Sequence, residues 1–253
     1  MKQFALIIAL LIFTTSIASS QEAYICREIG EVFEYNTFGE NGELESKIRN
    51  EVIKIVADSV YIQTTISDRD GKPAEPLSNF INKVYVEPNG TVHMYRSQIF
   101  FTVMDKVGAT IANSALKSET NEEEEQEVDK EKLEAIFEDL EAEENSISIP
   151  PRLKIGMKLK DYNMKIKIAF MSIKNYIEDR KVIAKETIYT KYGALECYVI
   201  ESTEITKAIV MSDKNYMKEW YTPGIGLVKS ETYSDRARTK LTNSLILIPG
   251  DFI

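Results

Sequence analysis

The sequence predicts a mainly β protein, and three observations carry that reading. Apolar and polar residues alternate in short runs along most of the chain, the period of a strand with one buried face. The runs are closed by turn formers such as Gly39-Glu40-Asn41-Gly42 and Pro88-Asn89-Gly90. One stretch, Lys185 to Tyr233, reads as a four-strand antiparallel meander. It alternates through Cys197, Val199 and Ile205 and again through Trp220 and Leu227, with turns expected at Tyr192-Gly193, Asp213-Lys214-Asn215 and Thr222-Pro223-Gly224.

At the start, Met1-Lys2 is a short basic region and Phe4 to Phe13 an apolar run of secretory length, too short to span a bilayer. Residues 1–20 are therefore expected to be a signal peptide, cut before Gln21 or, alternatively, after Ala18. Cys26 follows the bulky Tyr24-Ile25 well beyond the apolar run, which does not suit a lipid acceptor. The expectation is an exported protein, periplasmic or extracellular, soluble after cleavage and without a transmembrane segment.

Glu31 to Phe38 and Leu44 to Val56 form the first expected hairpin, followed by strands at Ser59 to Ser67, Phe80 to Glu87 and Thr91 to Tyr95. Asp68-Arg69-Asp70-Gly71 begins like a calcium loop but lacks the later oxygen ligands and terminal Glu, so it reads as a turn. Asn89-Gly90-Thr91 fits a glycosylation acceptor, yet Asn-Gly between two strands is also a favoured hairpin turn. From Ser97 the period changes. Ile99, Phe100, Val103, Val107 and Ile111 suit a helix packed on the sheet, with a cavity lid or interfacial helix as alternatives. Glu119 to Glu144 is an acidic insert whose second half carries Leu133, Ile136, Phe137 and Leu140 at helical spacing. After Ile149-Pro150-Pro151 the β pattern resumes at Met164 to Phe170 and Arg180 to Thr190, runs through the meander, and ends with Thr239 to Ile248. The expected organisation is signal peptide 1–20, first half of a β domain 21–116, acidic insert 117–147, and second half of the same domain 148–253.

Residues 119–144 hold fourteen acids against two lysines, a local charge of −12. The whole chain carries −9, so the remainder is near neutral at +3. No concentrated basic face is visible to track phosphates, which excludes nucleic acid as an expected partner. Two cysteines in an oxidising compartment permit one bridge, and Cys26 to Cys197 is the expected pair; two buried unpaired thiols are the alternative. His93 is the only histidine. With two Cys and one His there is no ordinary metal ligand set, so no metal or other cofactor is expected. Ser114-Ala115-Leu116-Lys117 matches a serine–lysine pattern without its companion motifs, and no nucleotide-binding glycine loop is present.

Three segments resemble a known group. Gly193-Ala194-Leu195-Glu196-Cys197-Tyr198, the run Glu219 to Glu231 (EWYTPGIGLVKSE), and Cys26 with Gly30-Glu31-Val32-Phe33-Glu34-Tyr35 look like the DUF3108-like family of exported Bacteroidetes proteins of unknown function. Leu153 to Asp161 extends the likeness over most of the mature chain. The resemblance implies a curled antiparallel sheet or half-barrel, similar to lipoprotein carriers, and no established catalytic residues; the helical periods above add one or two accessory helices to the expected fold. The expected function is non-enzymatic binding of an apolar or lipid-like ligand, with Tyr198, Trp220 and Tyr221 as wall or rim residues. The alternative is a protein–protein interaction module of the envelope, working through the acidic insert or a sheet edge.

Overall fold

The computed structural model describes residues 22–75, 78–97, 141–168, 171–208 and 212–248. The signal peptide, the helix expected from Ile99 to Ile111 and the pattern from Leu133 to Leu140 lie outside the described residues. The strands, in chain order, are β1 (Val32–Gly39), β2 (Leu44–Val56), β3 (Ser59–Asp68), β4 (Asn79–Val86), β5 (Val92–Met94), β6 (Glu141–Glu144), β7 (Ile147–Ile149), β8 (Tyr162–Ile168), β9 (Met171–Thr190), β10 (Gly193–Lys207), β11 (Ser212–Thr222), β12 (Gly226–Tyr233) and β13 (Leu241–Leu247). They make one antiparallel sheet in the order β6-β8-β9-β10-β11-β12-β13-β1-β2-β3-β4-β5-β7. The mainly β, curled-sheet expectation holds: among the described residues the sheet is not closed by backbone pairing.

Turn chemistry sets the hairpins. Asp68 Oδ1 accepts from the N–H groups of Asp70 and Lys72, and Asn89 Oδ1 from Thr91 N–H, so both calcium-like and glycosylation-like patterns serve as side-chain-braced turns. Asp213-Lys214-Asn215, expected as a turn, is instead paired strand: Asp213 opposes Thr206, Lys214 opposes Ile205 and Asn215 opposes Glu204. Asp213 accepts from Lys214 N–H and from the Asn215 amide, so its polar character finishes a strand end rather than bending the chain.

The main core draws on both faces of the sheet, since it holds Tyr221 and, from the opposite face of β11, Trp220. Phe33, Tyr35, Val52, Val60, Val84, Val228 and Leu247 are buried together, and the Tyr35 hydroxyl donates to Leu227 O at 2.9 Å. A smaller cluster of Ile147, Tyr162, Met164, Ile166 and Ile177 sits where β7 and β8 approach. The edge strands β6 and β7 are joined by Asn145 and Ser146 alone, so the two ends of the sheet meet at this link. Side chains stitch that seam: the Asn145 amide donates to Asp161 O, and Asn163 N–H donates to Asn145 Oδ1 at 2.7 Å.

The bridge expected between Cys26 and Cys197 is not formed; both are buried free thiols. Strand alternation explains the separation. The N-terminal segment meets β10 through Tyr24, whose ring packs edge-on to Tyr198 with centroids 6.4 Å apart. Cys197 is the next residue along β10 and so projects to the other face. Burial, with Glu186 adding to it, pushes the Cys197 thiol up to about 12.

Candidate functional site

Two features stand out from ordinary packing: an ionic group inside the sheet and a cleft at its end. The ionic group owes its position to β9, whose pairing with β10 shifts register at Val199/Ile200 and again at Glu201/Thr203. At the second shift Asp179 is left-handed, with φ 56°. Such a bulge re-aims its neighbour, and here the neighbour is Arg180, only 2% exposed. Its Nη1 donates to Lys160 O at 2.8 Å and to Ser148 O at 3.2 Å, tying β9 to β7 across the seam.

Around Arg180 lie Glu219, Tyr221, Arg96 and Glu204. Arg96 pairs with Glu204, which also accepts from the Asn175 amide at 3.0 Å. Tyr221 donates to Glu219 at 3.2 Å. Burial pushes the Glu219 carboxyl up against the pull of Arg180 and Arg96. Desolvation works against the Arg96 charge, but Glu204 and Glu219 more than offset it. Glu144 completes the group, accepting from the Tyr162 hydroxyl at 2.6 Å and from Arg96 N–H at 2.7 Å. Charges of both signs thus brace one another around the buried Arg180, while Arg96 and Glu204 stay partly exposed.

The aromatic residues expected to share a binding wall are divided. Tyr198 and Tyr221 oppose each other across β10 and β11, whereas Trp220 opposes Val199 on the other face. Tyr221 joins the ionic group. Trp220 is packed under Lys229, 4.5 Å from its ring centroid, and donates to Glu186 at 2.8 Å. Tyr198 is covered by Tyr24.

His93 is gripped on both nitrogens, with Ser146 Oγ at 2.7 Å from Nδ1 and Glu87 at 2.8 Å from Nε2. A serine-hydrolase relay has the opposite order, serine on Nε2 and carboxylate on Nδ1. Ser146 belongs to the link between β6 and β7, so the contact pins the seam. Among the described residues no group of three His, Cys, Asp or Glu is arranged to hold a metal.

The cleft has a volume of about 590 Å³ and opens between residues 22–31, the turn at 87–90 and the turn at 224–225. Its apolar lining includes Ile25, Cys26, Phe33, Tyr192 and Ile225. The Phe33 and Tyr192 rings pack with centroids 5.4 Å apart. The N-terminal wall is held by Gly224 N–H donating to Ala23 O at 2.8 Å. It also needs Gly226, whose φ is +100° and where a Cβ would lie 3.0 Å from Tyr24 O.

Nothing in the sequence announced the ionic group, because Arg96, Arg180, Glu204 and Glu219 are scattered and each alone reads as a surface charge. The cleft was equally hidden. Its wall residues Cys26 and Tyr192 lie far apart in the chain, and the signal that could have paired them, two apolar residues each beside a turn, is common.

A family model described as DUF3108-like matches residues 57–245. Two solved structures share the fold. One is a Bacteroides fragilis protein described as exported, with a YmcC-like fold, at 18% identity and a TM-score of 0.60. The other is a Parabacteroides distasonis protein described as a lipoprotein, at 18% identity and a TM-score of 0.61. Each match covers 89% of this chain and 97% of the other. No curated protein matches the chain.

Proposed function

We propose, from the premise that this chain belongs to the DUF3108-like family, that it is an exported envelope protein that binds an apolar or lipid-like ligand in the end cleft without turning it over. One observation carries the reading: the cleft's volume of about 590 Å³ falls in the range of small-ligand sites, and Ile25, Phe33, Tyr192 and Ile225 give its mixed lining an apolar part. The interior around Arg180 and Glu219 is a poor host for an apolar chain, since contact with one would leave those charges facing hydrocarbon. Export is supported by the leader-like residues 1–20 and by two neighbours described as exported and as a lipoprotein. Among the described residues no helix is long and apolar enough to cross a membrane. The absence of turnover is supported by His93, whose two ring nitrogens are engaged in pinning the seam.

The test is native mass spectrometry of the protein purified from its own host, followed by solvent extraction of any bound species. A retained, extractable lipid-like mass is expected, and its occupancy should fall in Ile225→Glu, which puts a carboxylate into the apolar lining. A clean unliganded mass, with no change in melting temperature on adding a lipid extract of the host, would overturn the reading. The competing idea, a partner docking on a sheet edge, is disfavoured by the edges themselves. Strand β6 has four residues, three of them Glu, and β7 has only three; short edges, the first also charged, resist strand addition.

A further inference from the structure

The cleft has a polarity that narrows its ligand. Its lining joins the apolar side chains of Phe33, Tyr192 and Ile225 to charged groups nearly all of one sign: Glu22, Glu28, Glu31 and Glu87 against Arg27. Glu87 is committed to His93 and to the Asn89 amide. Arg27 is a single cation among the remaining three carboxylates, so the rim keeps a net negative charge. The buried thiol of Cys26 senses that charge. Desolvation raises its pKa first, a hydrogen bond at the Glu28 backbone lowers it, and Glu31, Glu28 and Glu22 each raise it again, which places all three carboxylates within electrostatic reach of one wall residue. Concave, partly apolar walls focus such a field and so raise its effect on an entering charge.

We infer that the ligand of this cleft is a cationic amphiphile, an apolar chain ending in an amine or guanidinium, with the chain on Phe33, Tyr192 and Ile225 and the positive head among Glu22, Glu28 and Glu31. A carboxylate head would meet like charge at the rim, and a neutral chain would gain only the apolar side chains. The inference rests on the reading of the cleft as a ligand site. It adds the charge class of the ligand.

The test is isothermal titration of the mature protein with three probes of matched chain length, decylamine, decanoate and decyl glucoside, each below its micelle concentration. Wild type is compared with Glu28→Gln/Glu31→Gln at low and at high NaCl. Both positions are solvent-exposed, so the double substitution leaves the core untouched. Decylamine is expected to bind tightest. Its affinity should fall about tenfold in the double variant at low salt, and toward the same level in wild type at high salt, while decyl glucoside binding stays unchanged. If the three probes bind alike, or decylamine binding survives the double substitution, the charge inference is overturned and the ligand site stands. If none of the three binds, both are overturned.

Discussion

Replacing Arg180 by Met should cost the fold about 3 kcal/mol at neutral pH. The guanidinium donates two charge-assisted bonds, to Lys160 O and Ser148 O, each worth about 1.5–3 kcal/mol. Losing it also removes the largest attraction acting on the Glu219 carboxylate. Removing one partner from a buried charge group costs about 3–5 kcal/mol. Part of this is returned, because Arg180 Nε and Nη2 have no protein acceptor and their burial ceases to cost about 1–3 kcal/mol. For a chain of this size the net loss corresponds to a fall in Tm of about 9 °C. Urea and thermal unfolding followed by circular dichroism would measure it.

The pH dependence carries a sign. Glu219 has a raised folded-state pKa, so the proton favours the folded state. That contribution is complete below the ordinary carboxylate value and is lost as pH rises through the raised one. Arg180 pulls the Glu219 pKa down, so the variant should raise it further and be less destabilised at pH 5 than at pH 7. A loss below about 1 kcal/mol at pH 7, or an equal loss at both pH values, would refute the account of Arg180 as the counter-charge of Glu219.

Three further outcomes are expected. Protein unfolded without reductant should titrate two thiols with a disulfide-exchange reagent, because Cys26 and Cys197 are both free; a count of zero would mean a bridge. Gly226→Ala should destabilise by about 2 kcal/mol in urea unfolding, since it combines positive φ with a Cβ 3.0 Å from Tyr24 O; an unchanged midpoint would refute the close approach of the N-terminal segment. A fluorophosphonate probe should leave Ser146 unlabelled, whereas labelling abolished by His93→Ala would show that the reversed ring order still activates the serine.

The strands were legible because each is a local pattern. The sequence predicts Leu44 to Val56, the extent of β2, and Ser59 to Ser67, one residue short of β3. What stayed hidden depends on register and on distance along the chain. The placement of Tyr221 beside Glu219 and of Trp220 on the opposite face follows from strand alternation once the register is known, and a slip of one residue would exchange them. Arg180 is aimed inward by a bulge at Asp179, a residue with no special mark of left-handed geometry in the sequence. The acidic insert hid a strand as well. Its last residues, Glu141 to Glu144, pair with β8, a role their composition does not suggest. A deletion meant to remove the insert while keeping the sheet should therefore stop at residue 140.

The sheet order also bears on how the chain assembles. Among the described residues, nine of the twelve strand pairings join consecutive strands and need only a short loop to close. The pairing of β1 with β13 is different, because Tyr35 must find Leu247. Closing a loop of that length costs more entropy than closing a hairpin, and the cost comes before its contacts form. Two blocks of hairpins, β1 to β5 and β8 to β13, should form early, and their junction at β1–β13 should set the folding rate. A chain still emerging from synthesis or export would carry β1 with one edge exposed until its last strand arrives.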